Sequence, residues 1–224
     1  LQAWLAAPLG ATPYVARGHA RFESPDGEVE GALELRVDPP RRALAELRTR
    51  ALFGLVGERI VVSAPGDGWV LFFQERSGTL ERVPFAESAV ADYSLGGGLE
   101  DVLQLLDGRL PWALPVDGDD LARRTRVLDG GRSGVGYRVE LPAERGASRL
   151  DLVLQDGRLG RLAWWDGGET RLEVEYDRWA ARGGVLRPGR VRLRAPGRGL
   201  RGEMSIDRLE PRTAFEAADF EVGD

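Results

Sequence analysis

The chain has 224 residues and a net charge of −5; it lacks cysteine, and its 31 basic residues are all arginine. Disulfide frameworks and thiolate sites are thereby excluded, and an acidic balance without any basic block argues against a nucleic-acid partner. A chain this long can bury roughly 70% of its unfolded surface without covalent or metal staples, which suits one domain spanning 1–224.

The opening LQAWLAAPLG is apolar but shorter than a secretory signal and without its basic flank. No run of 18 apolar residues exists, so no membrane-spanning helix is expected. Next, RGHARFES reads as a strand carrying the single His19, and Pro25-Asp26-Gly27 turns the chain into EVEGALELRV. There Val29, Gly31, Leu33, Leu35 and Val37 alternate with Glu28, Glu30, Glu34 and Arg36, as in an antiparallel strand with one dry face.

In RALFGLVGER, Leu52, Phe53, Leu55 and Val56 surround Gly54 where a hairpin connection ought to be polar. Either the flanking strands are longer and the segment is core, or an apolar loop protrudes. In GWVLFFQE, Trp69, Leu71 and Phe73 fall on one face and Val70 and Phe72 on the other, which predicts cover on both sides.

The period changes in GGGLEDVLQLLDGRLPW. Leu99, Val102, Leu103, Leu106 and Leu110 form one apolar stripe, with Glu100, Asp101, Gln104 and Asp107 opposite, predicting a helix near 98–108. Gly108 can stop it and Gly96-Gly97-Gly98 can act as a hinge. A helix this short is unstable alone and must dock on something apolar. It is either a core cap or a mobile lid, and Trp4 and Leu5 could pack beside it.

Alternation then returns through Leu172, Val174 and Tyr176, Val191 and Leu193, and Leu200, Met204 and Ile206. Asp129-Gly130-Gly131, Asp156-Gly157 and Asp166-Gly167-Gly168 supply turns. Eleven to thirteen candidate strands without alternating helices predict a mainly β fold. The expected architecture is an incomplete, open antiparallel β-barrel of about eleven strands with a short helical lid.

Catalysis finds little support. His19 has no cysteine partner, and no G-x-S-x-G elbow is present. Asp117-Gly118-Asp119-Asp120 lacks the spacing of a calcium loop and reads as a solvated turn. Gly96 to Gly98 lacks the G-K-[ST] ending of a phosphate loop. No catalytic residue, metal ligand or cofactor is expected.

The order of these features resembles the LolA/LolB superfamily of bacterial lipoprotein carriers and receptors, and more closely its LolB-like side. ARGHARFESPDGEVEGALELRV is similar to the opening hairpin, and RALAELRTRALFGLVGERIVV places Phe53-Gly54 where LolB-like proteins carry a protruding apolar loop. LEDVLQLLDGRLP resembles the lid helix, and RLEVEYDRWAARGGVLRPGRVRLRAP the late strand pair. The resemblance implies a non-enzymatic acyl-binding cavity serving lipoprotein or other lipid transfer at the outer membrane. Leu99, Val102, Leu103, Leu106 and Leu110 would line its mouth and Trp69, Leu71, Phe72 and Phe73 its wall, while Leu52, Phe53 and Leu55 would touch the membrane or a periplasmic carrier protein. It further implies a periplasmic location, anchored to the inner leaflet of the outer membrane where a lipidated cysteine precedes Leu1. Arg48 and Arg50 lie in the region of the arginine that latches the lid in LolA-type carriers. The alternative is an envelope structural or sensing module on the same fold, with a self-filled cavity and a protein partner.

Overall fold

The computed structural model describes residues 12–39, 42–49, 58–65, 68–88, 90–91, 98–109, 123–128, 134–141, 148–182 and 184–222. Among them the first meander holds β1 (Tyr14–Ser24), β2 (Gly27–Asp38), β3 (Arg42–Thr49), β4 (Arg59–Ala64), β5 (Trp69–Gln74) and β6 (Thr79–Pro84). The helix α1 (Leu99–Leu106) follows. The second meander holds β7 (Thr125–Leu128), β8 (Val135–Glu140), β9 (Arg149–Gln155), β10 (Arg158–Asp166), β11 (Glu169–Asp177), β14 (Arg190–Ala195) and β15 (Leu200–Pro211). Between β11 and β14, β12 (Ala180–Arg182) and β13 (Val185–Arg187) form a separate ribbon.

The two meanders join along β1 and β15, giving one sheet of 13 strands in the order β6-β5-β4-β3-β2-β1-β15-β14-β11-β10-β9-β8-β7. Ala20 marks the seam, opposite Gly31 on β2 and Met204 on β15. The fold is an open antiparallel β-barrel with one α-helix among the described residues, and it holds more strands than the alternation announces. The surplus lies in β7, β12 and β13, whose three or four residues are too few to display a period.

Flat, a sheet of this width would span roughly 58 Å at about 4.8 Å per strand and expose a large dry face. It curls instead. Register shifts at Arg17/Gly18, Leu159/Arg161 and Trp164/Trp165 bend the strands locally. Gly31 permits a close approach of β2 and β3, since a Cβ there would sit 2.2 Å from the Arg48 carbonyl oxygen.

The concave face carries the main core, with Leu33, Leu150, Leu162, Leu172 and Val174 among its buried members. The convex face is a mesh of arginine–carboxylate pairs, such as Arg17–Glu34 at 2.8 Å, Arg190–Glu203 at 2.7 Å and Arg161–Glu173 at 3.1 Å. Exposed pairs of this kind contribute at most about 1 kcal/mol each and mainly keep the face wet.

Over β3 to β5 the convex face is different. Residues 212–222 return across it as a strap, and Phe220, 1% exposed, packs on Leu44, Val61 and Phe73. Phe215 meets the Phe220 ring edge-on at 5.4 Å, and the Arg42 guanidinium lies 4.9 Å above it. Ser63 Oγ donates to the Phe220 carbonyl at 2.5 Å, and Arg36 Nη1 donates to the Asp219 carbonyl at 3.0 Å. The apolar character of β5 on both faces follows: one side meets the concave cavity, the other the strap.

Candidate functional site

The connection from β6 to β7 joins the two outermost strands of the sheet, and α1 forms within it. The helix presents Leu99, Val102, Leu103 and Leu106 to the inward residues of β2 to β5, and together they line a cavity of about 610 Å³. Ala43, Ala45, Ile60, Val62, Val70 and Phe72 form much of the opposite wall. Cavities of roughly 300–1,000 Å³ with apolar walls are the size in which small-molecule and cofactor ligands bury.

Both sides of α1 are covered. Asp101 at 2% and Gln104 at 7% exposure are buried, as are Leu103 and Leu105, while Leu99, Val102 and Leu106 of the stripe are half-buried. Of the polar residues opposite the stripe, Glu100 is exposed, while Asp101, Gln104 and Asp107 are buried. The stripe keeps accessible surface because it faces the cavity, where side chains of the described residues leave space.

The carboxyl end of α1 is firmly anchored. Gly108 adopts φ +70°, and its N–H reaches the Leu105 carbonyl at 3.0 Å while the Arg109 N–H reaches Gln104 at 2.9 Å, the paired bonds of a Schellman stop. Between them Asp107, 8% exposed, accepts from the Tyr14 hydroxyl at 3.1 Å and faces Arg187 Nη1 at 3.2 Å. The Arg187 guanidinium lies 3.9 Å over the Tyr14 ring. Burial pushes the Asp107 carboxyl above its ordinary pKa, outweighing the opposing pull of Arg187. Burial likewise raises the hydroxyls of Tyr14 and Tyr176, with the charge of Asp107 adding to both. At the amino end, Gly98 caps the helix at φ +92° with no side-chain hydrogen bond.

The structure brings Leu99, Val102, Leu103, Leu106 and Phe72 together on the cavity. Trp69, Leu71 and Phe73 are corrected: alternation along β5 puts them on the convex face, opposite Val70 and Phe72. Phe73 packs in the strap cluster, and Trp69 lies under the Arg82 guanidinium at 4.7 Å. Arg48 is also corrected, since it is exposed and bonds Glu46 at 2.5 Å, away from α1. Arg187 pairs instead with Asp107, the residue that ends α1. Leu110, Leu52, Phe53, Leu55, Arg50, Trp4, Leu5, Gly96, Gly97 and Asp117 to Asp120 lie outside the described residues. Two groups escaped the sequence reading. Ala43 and Ala45 were legible as small inward residues at alternate positions of RALAELRT, whereas Tyr14 is 93 residues from Asp107 and left no local signal.

No family model and no curated protein sequence matches the chain. Solved structures do resemble it along nearly its whole length. A DUF1329 family protein from Desulfovibrio piger superposes with a TM-score of 0.56 at 9% identity, covering 96% of this chain and 91% of its own. A LolA superfamily protein from Nitrosomonas europaea gives 0.55 at 10% identity, with 99% and 95% covered. A putative outer membrane lipoprotein-sorting protein domain from Vibrio parahaemolyticus gives 0.54 at 10%, with 98% and 93% covered. At these identities the likeness is one of fold: the chain carries the LolA-superfamily fold.

Proposed function

We propose that the chain binds acyl chains in the cavity beneath α1 and acts, without catalysis, in the transfer or insertion of lipoproteins or other lipids at the bacterial outer membrane. The observation that carries this reading is the apolar cavity of about 610 Å³ that the half-buried Leu99, Val102 and Leu106 of α1 help to line. The names of two fold relatives, a LolA superfamily protein and a lipoprotein-sorting domain, support it.

The energetics suit such a role. Burying a methylene gains roughly 0.8 kcal/mol, so one long acyl chain gains on the order of 10 kcal/mol relative to water. A bilayer offers much the same, so exchange between cavity and membrane is nearly isoenergetic and small differences in affinity set its direction. An apolar, adaptable wall is then the useful one. In this reading the protein works in the periplasm, and Leu52, Phe53 and Leu55, between β3 and β4, touch the membrane or a carrier.

Organic extraction of the purified protein followed by mass spectrometry, with titration of a fluorescent acyl probe, tests the reading. Co-purifying lipid or saturable one-site binding is expected. Failure of both would leave the fold as a structural or sensing module.

A further inference from the structure

The wall opposite α1 is a ladder of paired inward residues, and its rungs show which way the cavity runs. Phe22 faces Val29 beside the β1–β2 turn. Farther along, Leu33, Leu47 and Ile60 lie side by side, then Leu35, Ala45, Val62 and Phe72. The last rung is Val37, Ala43 and Ala64. All of these except Val37 line the cavity. It therefore follows the strands from the Val29 rung to the Val37 rung, roughly 26 Å at about 3.3 Å per residue.

The two ends of the ladder differ. At the last rung Val37 is 0%, Ala64 6% and Ala43 8% exposed, and Leu103 of α1 packs with Val37, Ala43 and Tyr14. At the turn Phe22 and Val29 are half-buried, while Ser24, Asp26, Gly27 and Glu28 are exposed. Among the described residues, the polar side chains that line the cavity are Glu23, Ser24, Asp26 and Glu28, all at this turn. The cavity is thus closed and apolar beneath α1 and wet at the β1–β2 turn. Its closed end is also where the smallest side chains pair, Ala43 beside Ala64. An amphiphile is most stable there with its apolar end inside and its polar end left in water, because burying an unpaired polar group is costly.

We propose that the ligand lies lengthwise along the strands, with the methyl end of an acyl chain on the Ala43–Ala64 floor and its head group in water at the β1–β2 turn, and that these two alanines set the chain length accepted. An extended chain advances about 1.25 Å per carbon, the projection of a C–C bond of about 1.5 Å, so roughly 16 to 20 carbons reach the floor with the head at the rim. The assignment rests on the acyl-binding reading and adds to it a direction and a length. It makes α1 the roof of the closed end and the β1–β2 turn the mouth.

The test titrates the full chain with fatty acids of about 10 to 22 carbons, each below its aggregation concentration, by displacement of a fluorescent acyl probe. Affinity should climb about 4-fold per carbon and stop climbing near about 18 carbons. Ala64→Leu should shorten that limit by roughly two to three carbons, the reach of the added isobutyl group, and Ala43→Val by about one. Orientation is read on the unaltered protein, with one bulky fluorophore carried at either the carboxyl end or the methyl end of the same chain. The carboxyl-labelled chain should bind about 10-fold or more tighter, since the closed end has no room for the added ring. Equal affinity of the two, or tighter binding of the methyl-labelled chain, would overturn the orientation. Affinity still climbing at the longest chain, or a limit unmoved in variants that melt cooperatively, would overturn the alanine floor. Binding of no fatty acid and neither labelled chain would instead remove the acyl reading itself.

Discussion

Asp107 ends the cavity helix in a buried setting, and that burial makes its carboxylate sensitive to pH. Burial raises its folded-state pKa above the unfolded value, so between those two values the folded chain holds more protons than the unfolded one. Stability therefore falls as pH rises through that window and levels off above it. Asp107→Asn keeps an acceptor for the Tyr14 hydroxyl but removes the titration. Thermal melts of both proteins should show the wild type losing ground to the variant as pH rises from about 4. If the wild type gains instead, the Arg187 pair dominates and the carboxylate is depressed. The inward and outward identity of residues such as Leu33 and Glu30 was legible because a strand alternates strictly with period two. The Asp107–Tyr14–Arg187 cluster was not, because it joins three elements that only the closed sheet brings together.

Among the elements, α1 was the most legible: its stripe and its glycine stop both follow from local rules, and the helix spans Leu99–Leu106. Its buried polar side was not, because a periodic stripe says which face is apolar, not which face is covered. The strap at 212–222 was missed for a related reason. Its anchors Phe215 and Phe220 stand five residues apart, a spacing that matches neither a strand nor a helix face. A local signal existed in Glu216 and Asp219, which cap the short turn Ala217–Phe220 reciprocally. Because the strap seals an apolar patch on the convex face, Phe220→Ala should cost roughly 3–5 kcal/mol of stability, the usual range for a buried phenylalanine. Acyl-probe affinity should be unchanged, since the cavity lies on the other face of the sheet. A denaturant melt and a probe titration check the two halves. Lost binding with unchanged stability would reverse the assignment of faces, putting Phe73 back on the cavity wall.

At the scale of the molecule, the alternating strands required one dry face, a dry face that wide required a curled sheet, and the curl required a cover. That chain of necessity is why an open barrel with a helix is legible in the sequence alone. Whether the enclosed space was packed or hollow was not, because it depends on small residues at particular inward positions. Ala45 is the decisive one. It sits mid-strand on β3, opposite Leu35 and Val62, and its methyl lines the cavity. Ala45→Trp places a large ring in that space. In a packed core the added bulk would cost about 1–3 kcal/mol of stability, or roughly 2–4 °C of Tm per kcal/mol in a chain this long. In a ligand cavity the ring occupies free volume and adds apolar contacts, so Tm should hold or rise while acyl-probe affinity falls by about an order of magnitude, near 1.4 kcal/mol. A melt and a titration on the same preparation separate the cases: falling Tm with intact binding would mean a filled core, and unchanged Tm with lost binding would mean that α1 covers a working cavity.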